Sequence, residues 1–232
     1  MRLLDLFAGA QGAGVGYARA GFDVTAVDIE RHDRHPEITE FITADAIEVL
    51  RDVKYLSTFD VVHASPPCQA YSATAGRWAG REHPRLIEPV RDLLKAAGAT
   101  YVIENVPRAP LINPMILCGS MFGLGATCFD GKWRQLRRHR LFESSVFLVP
   151  PGPCCHGPFT GGVYGTGGGG AMTRGWKFRM PTRRTRATSE ASTAMGIDWM
   201  SRADLSQAIP PAYTRWIGEG IGGRDDDPQA QP

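Results

Sequence analysis

The sequence predicts an α/β fold built on a doubly wound, mostly parallel sheet of the Rossmann-like kind. Two observations predict it. Short apolar runs typical of buried strands alternate with helical patterns through the first half of the 232 residues. The first run is followed by a glycine-rich turn at residues 8–14 and a short helical segment, which is the opening unit of a nucleotide-binding sheet.

Each of the main predicted strands delivers a turn or a polar residue at its carboxyl end, where ligands and catalytic groups gather in open α/β sheets. The second and third strands end in Asp28 and Asp45, and the fifth leads into Glu104. The predicted strands comprise residues 3–7, 24–28, 41–45, 59–64 and 101–103, and the predicted helices comprise residues 15–20 and 83–97.

The glycine-rich turn and the two aspartates predict an adenosine pocket. Asp28 follows the turn by about 20 residues, where a carboxylate accepts hydrogen bonds from ribose hydroxyls, and Asp45 repeats the pattern. The glycine spacing departs from G-x-G-x-x-G, and no Walker lysine follows, which favours a nucleoside with little phosphate. S-adenosylmethionine is therefore predicted over NAD. The glycines concerned are Gly9, Gly12, Gly14 and Gly16.

A stiff loop after the fourth strand presents Cys68. Pro66 and Pro67 fix φ and remove backbone donors, so no helix begins there. A thiol held on such a loop beside cations is a candidate nucleophile, whereas the alternative is a small buried apolar side chain. Glu104 at the neighbouring strand end would be partly desolvated, which raises its pKa and suits proton donation; the alternative is a capping or salt-bridged glutamate.

The charges are distributed unevenly along the chain. Residues 1–65 contain 11 acidic residues against 6 basic ones, while residues 131–186 contain 11 basic residues against Glu143 alone. A one-sided excess of this size indicates a polyanionic partner, and nucleic acid is the predicted one. No apolar run of about 18 residues occurs and the start does not resemble a signal peptide. With five cysteines in addition, an odd number, we expect a cytoplasmic protein with reduced thiols.

In this order the motifs resemble those of the C5-cytosine DNA methyltransferases. The resemblance covers residues 2–145 and about 187–221. It implies a Rossmann-like, S-adenosylmethionine-dependent methyltransferase fold with a small recognition insert. The matching segments are Asp5-Leu6-Phe7-Ala8-Gly9, Pro66-Pro67-Cys68-Gln69, Glu104-Asn105-Val106, Gln135–Arg140, Ser189–Asp198 and Ser206–Pro211.

The resemblance implies methyl transfer from S-adenosylmethionine to C5 of a cytosine flipped out of double-stranded DNA. Cys68 would add to C6, Glu104 would protonate N3, and Arg138 and Arg140 would hold the base and Glu104, Arg140 being favoured for the base. Two positions depart from the family pattern: Gln11 replaces a usual glycine and Ala208 a usual asparagine. The implied cofactor residues are Phe7, Ala8, Gly9, Gly12, Asp28, Ile29, Asp45 and Pro66.

The family's DNA-recognition domain is predicted to be reduced to residues 146–186, which are rich in glycine and then basic and aromatic. Basic residues interleaved with Trp176 and Phe178 suit phosphate contacts and stacking on bases. The predicted divisions are a catalytic domain at 1–145, the insert at 146–186, C-terminal helices at 187–221 and a disordered tail at 222–232. The predicted DNA contacts are Gln69, Ser72, Arg174, Trp176, Lys177 and Arg179.

Cys154-Cys155-His156 is the one segment that suggests a metal site. Adjacent cysteines lack the usual ligand spacing, and only Cys118 and Cys128 remain as distant cysteine partners, so no metal is predicted. Two other functions stay open: the same chemistry on RNA, and DNA binding without catalysis on a methyltransferase scaffold. The sequence does not indicate a target site, a restriction partner or an oligomeric state.

Overall fold

The computed structural model describes residues 1–71, 83–163, 176–182, 184 and 188–222. Within them the strands are β1 (Arg2–Leu6), β2 (Asp23–Asp28), β3 (Glu40–Thr43), β4 (Val61–Ala64), β5 (Tyr101–Asn105), β6 (Met115–Leu117), β7 (Gly125–Thr127), β8 (Trp133–Leu136), β9 (Arg140–Ser144), β10 (Thr160–Gly162) and β11 (Trp176–Lys177). The α-helices are α1 (Gly12–Arg19), α2 (Ala46–Arg51), α3 (Val53–Leu56), α4 (Ile87–Ala96), α5 (Glu190–Met195), α6 (Arg202–Gln207) and α7 (Pro211–Gly222), and a 3₁₀ helix spans Gly119–Phe122.

Seven strands form the main sheet, in the order β3-β2-β1-β4-β5-β9-β6. The pairs from β3 to β5 are parallel, whereas β9 runs antiparallel to both β5 and β6. The chain proceeds outward from β1 in one direction and then returns to add β4 on the other side. This reversal opens a crevice at the carboxyl ends of β1 and β4, which is where such sheets bind ligands. The predicted doubly wound, mostly parallel sheet is confirmed.

Successive side chains of β1 enter two separate apolar cores, one on each face of the sheet. Leu3 packs in the core that contains Tyr17 of α1 and Tyr213 of α7. Leu4 packs in the core that contains Leu94 of α4. Because neighbouring residues of a strand point to opposite faces, a continuous apolar run such as β1 is what a strand covered by helices on both sides requires.

A second, four-stranded sheet has the order β11-β10-β8-β7. It joins β10 and β11 from the predicted insert to β7 and β8 from the segment before residue 146. Phe178 is 3% exposed and lies in one core with Met195 of α5. A Cβ added at Gly161 would stand 2.6 Å from the Phe178 ring, so the glycine is required by close packing. Two short segments of the insert, β10 and β11, are therefore part of a packed sheet.

The predicted elements differ from the observed ones mainly at their ends, whereas strands β6 to β11 were not predicted. The third predicted strand stops at Thr43, because Asp45 instead caps α2. Helix α4 begins at Ile87 and is followed by Gly98 at φ +65°, as its predicted stop requires. Helix α7 continues to Gly222, and the rest of the predicted tail lies outside the described residues. Among the helices described here, none is both long and apolar enough to span a bilayer.

Candidate active site

The loop after β4 holds Cys68 at the carboxyl edge of the sheet. The Ser65 N–H donates to the Leu6 carbonyl at 3.1 Å, so the loop leaves the strand while still bonded to β1. The Asn105 side-chain amide, at the end of β5, donates to the Pro66 carbonyl at 2.8 Å. Because the loop is bonded to strands on both sides and contains fixed proline φ angles, it presents the thiol on a rigid support.

Glu104 and Arg140 form a buried ion pair. Glu104 lies near the end of β5, Arg140 begins β9, and the Arg140 Nε atom is 2.9 Å from Glu104 Oε1. The Glu104 side chain is 8% exposed and the Arg140 side chain 5%. Oε1 has no regularly aligned hydrogen bond among the described residues, so charge holds this contact more than directional bonding does. Two predicted catalytic residues are thus in direct contact.

Burial governs the protonation of both Glu104 and Cys68. It raises the pKa of the Glu104 carboxyl, although the charges of Arg140 and Arg138 and a hydrogen bond from Ser65 act in the opposite direction. Burial also raises the pKa of the Cys68 thiol, against the opposing charge of Arg140. The carboxyl behaves as the sequence predicted. The thiol does not: in this state burial outweighs the cation that was expected to stabilise a thiolate.

Arg138 is 1% exposed and bonds to the protein main chain. Its guanidinium donates to the carbonyls of Val163 at 3.2 Å, Ser206 at 3.0 Å and Ala208 at 2.6 Å. These bonds connect the segment before β9 to the second sheet and to the C-terminal region. They give Arg138 a structural role in this state, and its contact with the base stays a prediction.

The glycine-rich turn after β1 leaves room for a ligand. A Cβ added at Gly9, whose φ is +48°, would meet nothing within 4 Å. The Gly9 N–H donates to Asp28 Oδ2 at 2.7 Å, which links the turn to the end of β2. Phe7 and Gln11 also have positive φ angles, +59° and +67°. Gln11 replaces the family's glycine in this left-handed conformation, and its side chain bonds to the Asp33 carbonyl at 2.9 Å.

The predicted adenosine residues follow neighbouring strands β2 and β3. Asp28 also accepts the Glu30 N–H at 2.9 Å, and Ile29 is 70% exposed. Asp45 accepts the Ile47 N–H at 2.8 Å as the cap of α2, and its side chain is exposed. An exposed apolar side chain next to Asp28, and carboxylate oxygens able to accept further hydrogen bonds, suit an adenine ring and its hydroxylated sugar.

Gly12 and Pro66 are placed by packing. A Cβ at Gly12 would stand 2.7 Å from the Ile209 carbonyl and 3.2 Å from the Met200 methyl group, so the C-terminal segment explains its lack of a side chain. Pro66 is buried within the Cys68 loop. Cofactor contacts of Gly12, Pro66, Phe7 and Ala8 stay predictions.

A buried chain of hydrogen bonds behind Glu104 escaped sequence analysis. The Tyr17 hydroxyl lies 3.0 Å from His63 Nδ1, and His63 Nε2 lies 2.9 Å from the Ser65 hydroxyl, which bonds to Glu104. Burial lowers the pKa of His63 to about 3, so its imidazole is neutral. A histidine within the apolar strand β4, two residues before a candidate catalytic loop, was the signal available in the sequence.

The predicted DNA contacts lie in two places. Gln69 is half-buried in the Cys68 loop, whereas Lys177 and Arg179 are exposed on and after β11. Trp176 packs against Arg134, whose guanidinium carbon is 3.7 Å from the ring centroid. Trp176 is therefore already stacked on a cation within the protein, and the DNA contacts of all four residues stay predictions. Ser72 and Arg174 lie outside the described residues.

Comparison with known proteins identifies the first half of the chain. Residues 1–110 match the model of the family described as C-5 cytosine-specific DNA methylase. Type II methyltransferase M.HgiGI of Herpetosiphon aurantiacus is 33% identical over 121 residues, which are 48% of this chain and 94% of that relative. Type II methyltransferase M.AquIA of Picosynechococcus sp. is 31% identical over 121 residues, which are 45% of this chain and 48% of that relative.

A solved structure extends the likeness in fold to nearly the whole chain. A prophage-encoded E. coli protein, assigned as a DNA modification methyltransferase, aligns with a TM-score of 0.60 over 98% of this chain and 100% of that one. The two sequences are 15% identical, so this comparison concerns the fold alone. The family is shown by the sequence comparisons: M.HgiGI is 33% identical and is matched over 94% of its length, and the family model matches residues 1–110. The chain belongs to the C-5 cytosine-specific DNA methylase family.

Proposed function

We propose that this chain methylates C5 of cytosine in double-stranded DNA, with S-adenosylmethionine as methyl donor and Cys68 as transient covalent nucleophile. The observation that carries the proposal is the buried Glu104–Arg140 pair, 2.9 Å apart, beside the rigid Cys68 loop. Membership of the family supports the type of reaction. An acid, a cation and a thiol at one sheet edge supply the groups that it needs.

The edge formed by β1, β2 and β3 suits S-adenosylmethionine, which when bound supplies an electrophilic methyl group on its sulfonium. The open space at Gly9 lets a ligand approach the backbone, and the exposed Ile29 offers an apolar face. Asp28 would accept hydrogen bonds from the ribose hydroxyls and Asp45 from the adenine amino group.

Cys68 provides the activation that the pyrimidine ring requires, because C5 of cytosine is too weak a nucleophile to be alkylated unaided. When the sulfur bonds to C6, the electron pair of the C5–C6 double bond becomes available at C5. Since burial raises the pKa of the Cys68 thiol, the thiol has to pass its proton to water as the sulfur attacks. After alkylation water takes the C5 proton and the electron pair of that C–H bond reforms the C5–C6 double bond. The sulfur–C6 bond then breaks and frees the thiolate.

Glu104 and Arg140 would neutralise the charge that this addition places on the ring. Burial raises the pKa of Glu104, which eases uptake of the proton that Glu104 would then donate to N3. Arg140 positions Glu104 through the ion pair and would also contact the base carbonyl. None of this is possible inside a stacked duplex, so the cytosine has to be flipped out at a cost of about a few kcal/mol.

The proposed DNA-recognition region comprises residues 146–186, which include β10 and β11, together with β7 and β8 of the second sheet. Its surface exposes cations and large aromatic side chains, among them Lys177, Arg179, Trp133 at 49% and Phe159 at 56% exposure. Such a surface suits phosphate contacts and stacking. The exposed basic area is smaller than the charge count predicts, because the most buried arginines of this region bond within the protein: Arg134 to Asp130, Arg138 to carbonyls and Arg140 to Glu104.

Methyl transfer from radiolabelled S-adenosylmethionine to DNA and RNA of matched sequence tests the proposal. We expect label at C5 of cytosine in DNA, a loss of about a thousandfold or more in Cys68→Ser, and no change in Asp23→Asn, which alters an exposed side chain at the start of β2. Label confined to RNA would overturn the DNA assignment. Equal labelling by Cys68→Ser and the parent would overturn the nucleophile.

A further inference from the structure

Four side chains from three separate segments converge beside the catalytic arginine. Cys118 directly follows β6, His139 lies between β8 and β9, and Cys154 and His156 lie in the connection from β9 to β10. One potential ligand atom from each lies within 4.8 Å of all the others. This Cys118/His139/Cys154/His156 group is hereafter the Cys₂His₂ cluster.

The distances inside the cluster match those between the ligands of one tetrahedral ion. His156 Nε2 is 3.4 Å from Cys118 Sγ and 3.1 Å from Cys154 Sγ, and His139 Nε2 is 3.3 Å from Cys154 Sγ. Zinc–sulfur bonds of about 2.3 Å and zinc–nitrogen bonds of about 2.0–2.1 Å place neighbouring sulfur and nitrogen ligands about 3.5 Å apart in a tetrahedron. These three sulfur–nitrogen pairs would open by roughly a few tenths of an ångström around an ion, and the remaining pairs lie within 4.8 Å.

Hydrogen bonding alone accounts poorly for this arrangement. The single Nε2 atom of His156 faces both sulfurs, yet one N–H can point at only one of them. The imidazoles of His139 and His156 direct Nε2 toward sulfur from an edge-to-face arrangement, with ring centroids 5.0 Å apart. A cation at the common centre satisfies all of these atoms at once.

We propose that Cys118, His139, Cys154 and His156 bind one Zn²⁺ as a structural site. Two thiolates and two imidazoles are a donor set typical of zinc, and four protein ligands leave no position open for water or substrate, which distinguishes structural from catalytic zinc. The burial of Cys118, which is 0% exposed, and the Ser120 hydroxyl 3.5 Å from Cys154 Sγ provide the supporting surroundings such sites require.

The ion would fasten the connection from β9 to β10 onto the turn that precedes Arg140. His139 is the residue before Arg140, and the Arg140 Nη1 group donates to the His139 carbonyl at 3.1 Å. Zinc would therefore hold the backbone that leads into Arg140, the partner of Glu104. It would also hold the first part of the predicted recognition insert. Its role is positional, and no step of methyl transfer passes through it.

This proposal replaces the prediction that the chain binds no metal. Spacing of cysteines was a poor guide because the adjacent Cys154 and Cys155 are not joint ligands: only Cys154 faces the cluster, and Cys155 is exposed. The other ligands are separated in sequence, and His139 was assigned to the arginine motif alone.

Metal analysis of the full-length protein, purified under reducing conditions without chelator or added metal, tests the proposal. We expect about one zinc per chain, and a lower melting temperature after removal of zinc by a chelator. Cobalt added to the zinc-free protein should give the intense visible bands of tetrahedral thiolate coordination. Absence of both stoichiometric zinc and cobalt uptake, or iron in place of zinc, would overturn the assignment.

Paired variants locate the site. Cys154→Ser should lower the zinc content to less than about half, whereas the neighbouring Cys155→Ser should retain the parent's content and melting temperature. Equal zinc in the two variants would reject the cluster as the binding site. If Cys154→Ser fails to fold, the cobalt spectrum of the parent and the zinc content of Cys155→Ser still decide the matter, because neither needs the damaged variant. All of these readouts are independent of methyl transfer, so failure of the proposed function leaves them intact.

Discussion

Strand β9 contributes to two buried arginine–glutamate pairs that differ sharply in how they are bonded. At its start Arg140 meets Glu104 through one contact of 2.9 Å. Three residues later, the Arg91 guanidinium donates two hydrogen bonds to the Glu143 carboxylate, of 2.7 and 2.8 Å. Glu143 accepts two more, from the Ile112 N–H at 2.8 Å and from the hydroxyl of Tyr101.

The bonding moves the two carboxyl pKa values in opposite directions. For Glu143 burial alone would raise the pKa, but the hydrogen bonds from Arg91 and Ile112 outweigh it and lower the pKa. For Glu104 burial wins and the pKa rises. A saturated buried carboxylate is locked in its charged form and serves the fold, whereas an under-bonded one at a sheet edge retains the capacity to exchange a proton.

Replacing Glu104 should lower the rate per folded molecule, in addition to any loss of stability from leaving the buried Arg140 without its counter-charge. Glu104→Gln removes the proton donor while preserving shape, so we expect methyl transfer to fall by about 10²- to 10⁴-fold. Single-turnover methylation together with thermal unfolding measures both properties. A variant that unfolds readily but retains its rate would reverse the roles assigned to the two pairs.

Replacing Glu143 should lower the stability of the fold and leave the rate per folded molecule unchanged. Glu143→Gln leaves the Arg91 guanidinium buried without its counter-charge, which costs about 3–5 kcal/mol of folding free energy, while the rate per folded molecule stays near that of the parent. The matched control is Glu219→Gln, which breaks the exposed pair with Arg215 and should cost less than about 1 kcal/mol. Denaturant unfolding of the three proteins tests this order, and equal losses for Glu143→Gln and Glu219→Gln would contradict it.

The charge of Glu104 should also be detectable at Cys68 without substrate. Burial is the main cause of the raised Cys68 pKa, and the Glu104 carboxylate adds to it while Arg140 opposes it. Iodoacetamide should therefore modify Cys68 slowly at pH about 8, faster in Glu104→Gln and more slowly in Arg140→Gln. Peptide mapping of the rate at Cys68, with exposed Cys155 as internal reference, provides the measurement. Identical rates in the three proteins would refute the coupling.

Asp5, at the centre of the main sheet, should make stability depend on pH. Its side chain is 0% exposed, and burial raises its pKa from 3.8 to about 8. The folded state therefore binds the proton more tightly than the unfolded state, so this contribution to stability falls as pH rises from about 4 to 8, by at most about 1.4 kcal/mol per pH unit. Unfolding between pH 5 and 8 should show a flatter profile for Asp5→Asn, while the exposed Asp23→Asn keeps the parent's slope.

Local motifs account for most of what the sequence could predict. The sheet and the Glu104 neighbourhood follow from apolar runs that end in polar residues, because parallel strands bring their carboxyl ends to one edge. The family resemblance left the contact with Glu104 to either arginine and favoured Arg140 for the base. The structure pairs Arg140 with Glu104 and bonds Arg138 to main-chain carbonyls. Neither source predicted the chain of hydrogen bonds through His63, since a lone buried histidine shows its partners only after the strands are in place.

The second sheet could not be predicted from local pattern. Strands β7 and β8 are short, and β8 pairs with β10 across the division expected at residue 145. Phe178 was grouped with the DNA-contacting aromatics, yet it is 3% exposed and belongs to a core. Composition indicated an open glycine-rich loop, and residues 164–175 of it lie outside the described residues. The strands on either side, β10 and β11, are held by non-local packing that no short window of sequence contains.

Trapping on a duplex that contains 5-fluorocytosine tests the central claim most directly. A base can remove hydrogen from C5 as a proton but cannot remove fluorine in this way, so the sulfur–C6 bond persists. With S-adenosylmethionine present, we expect a stable protein–DNA adduct whose peptide map places the bond at Cys68, and no adduct with Cys68→Ser. An enzyme that methylates ordinary cytosine in DNA but forms no adduct, or forms it at another residue, would contradict the account.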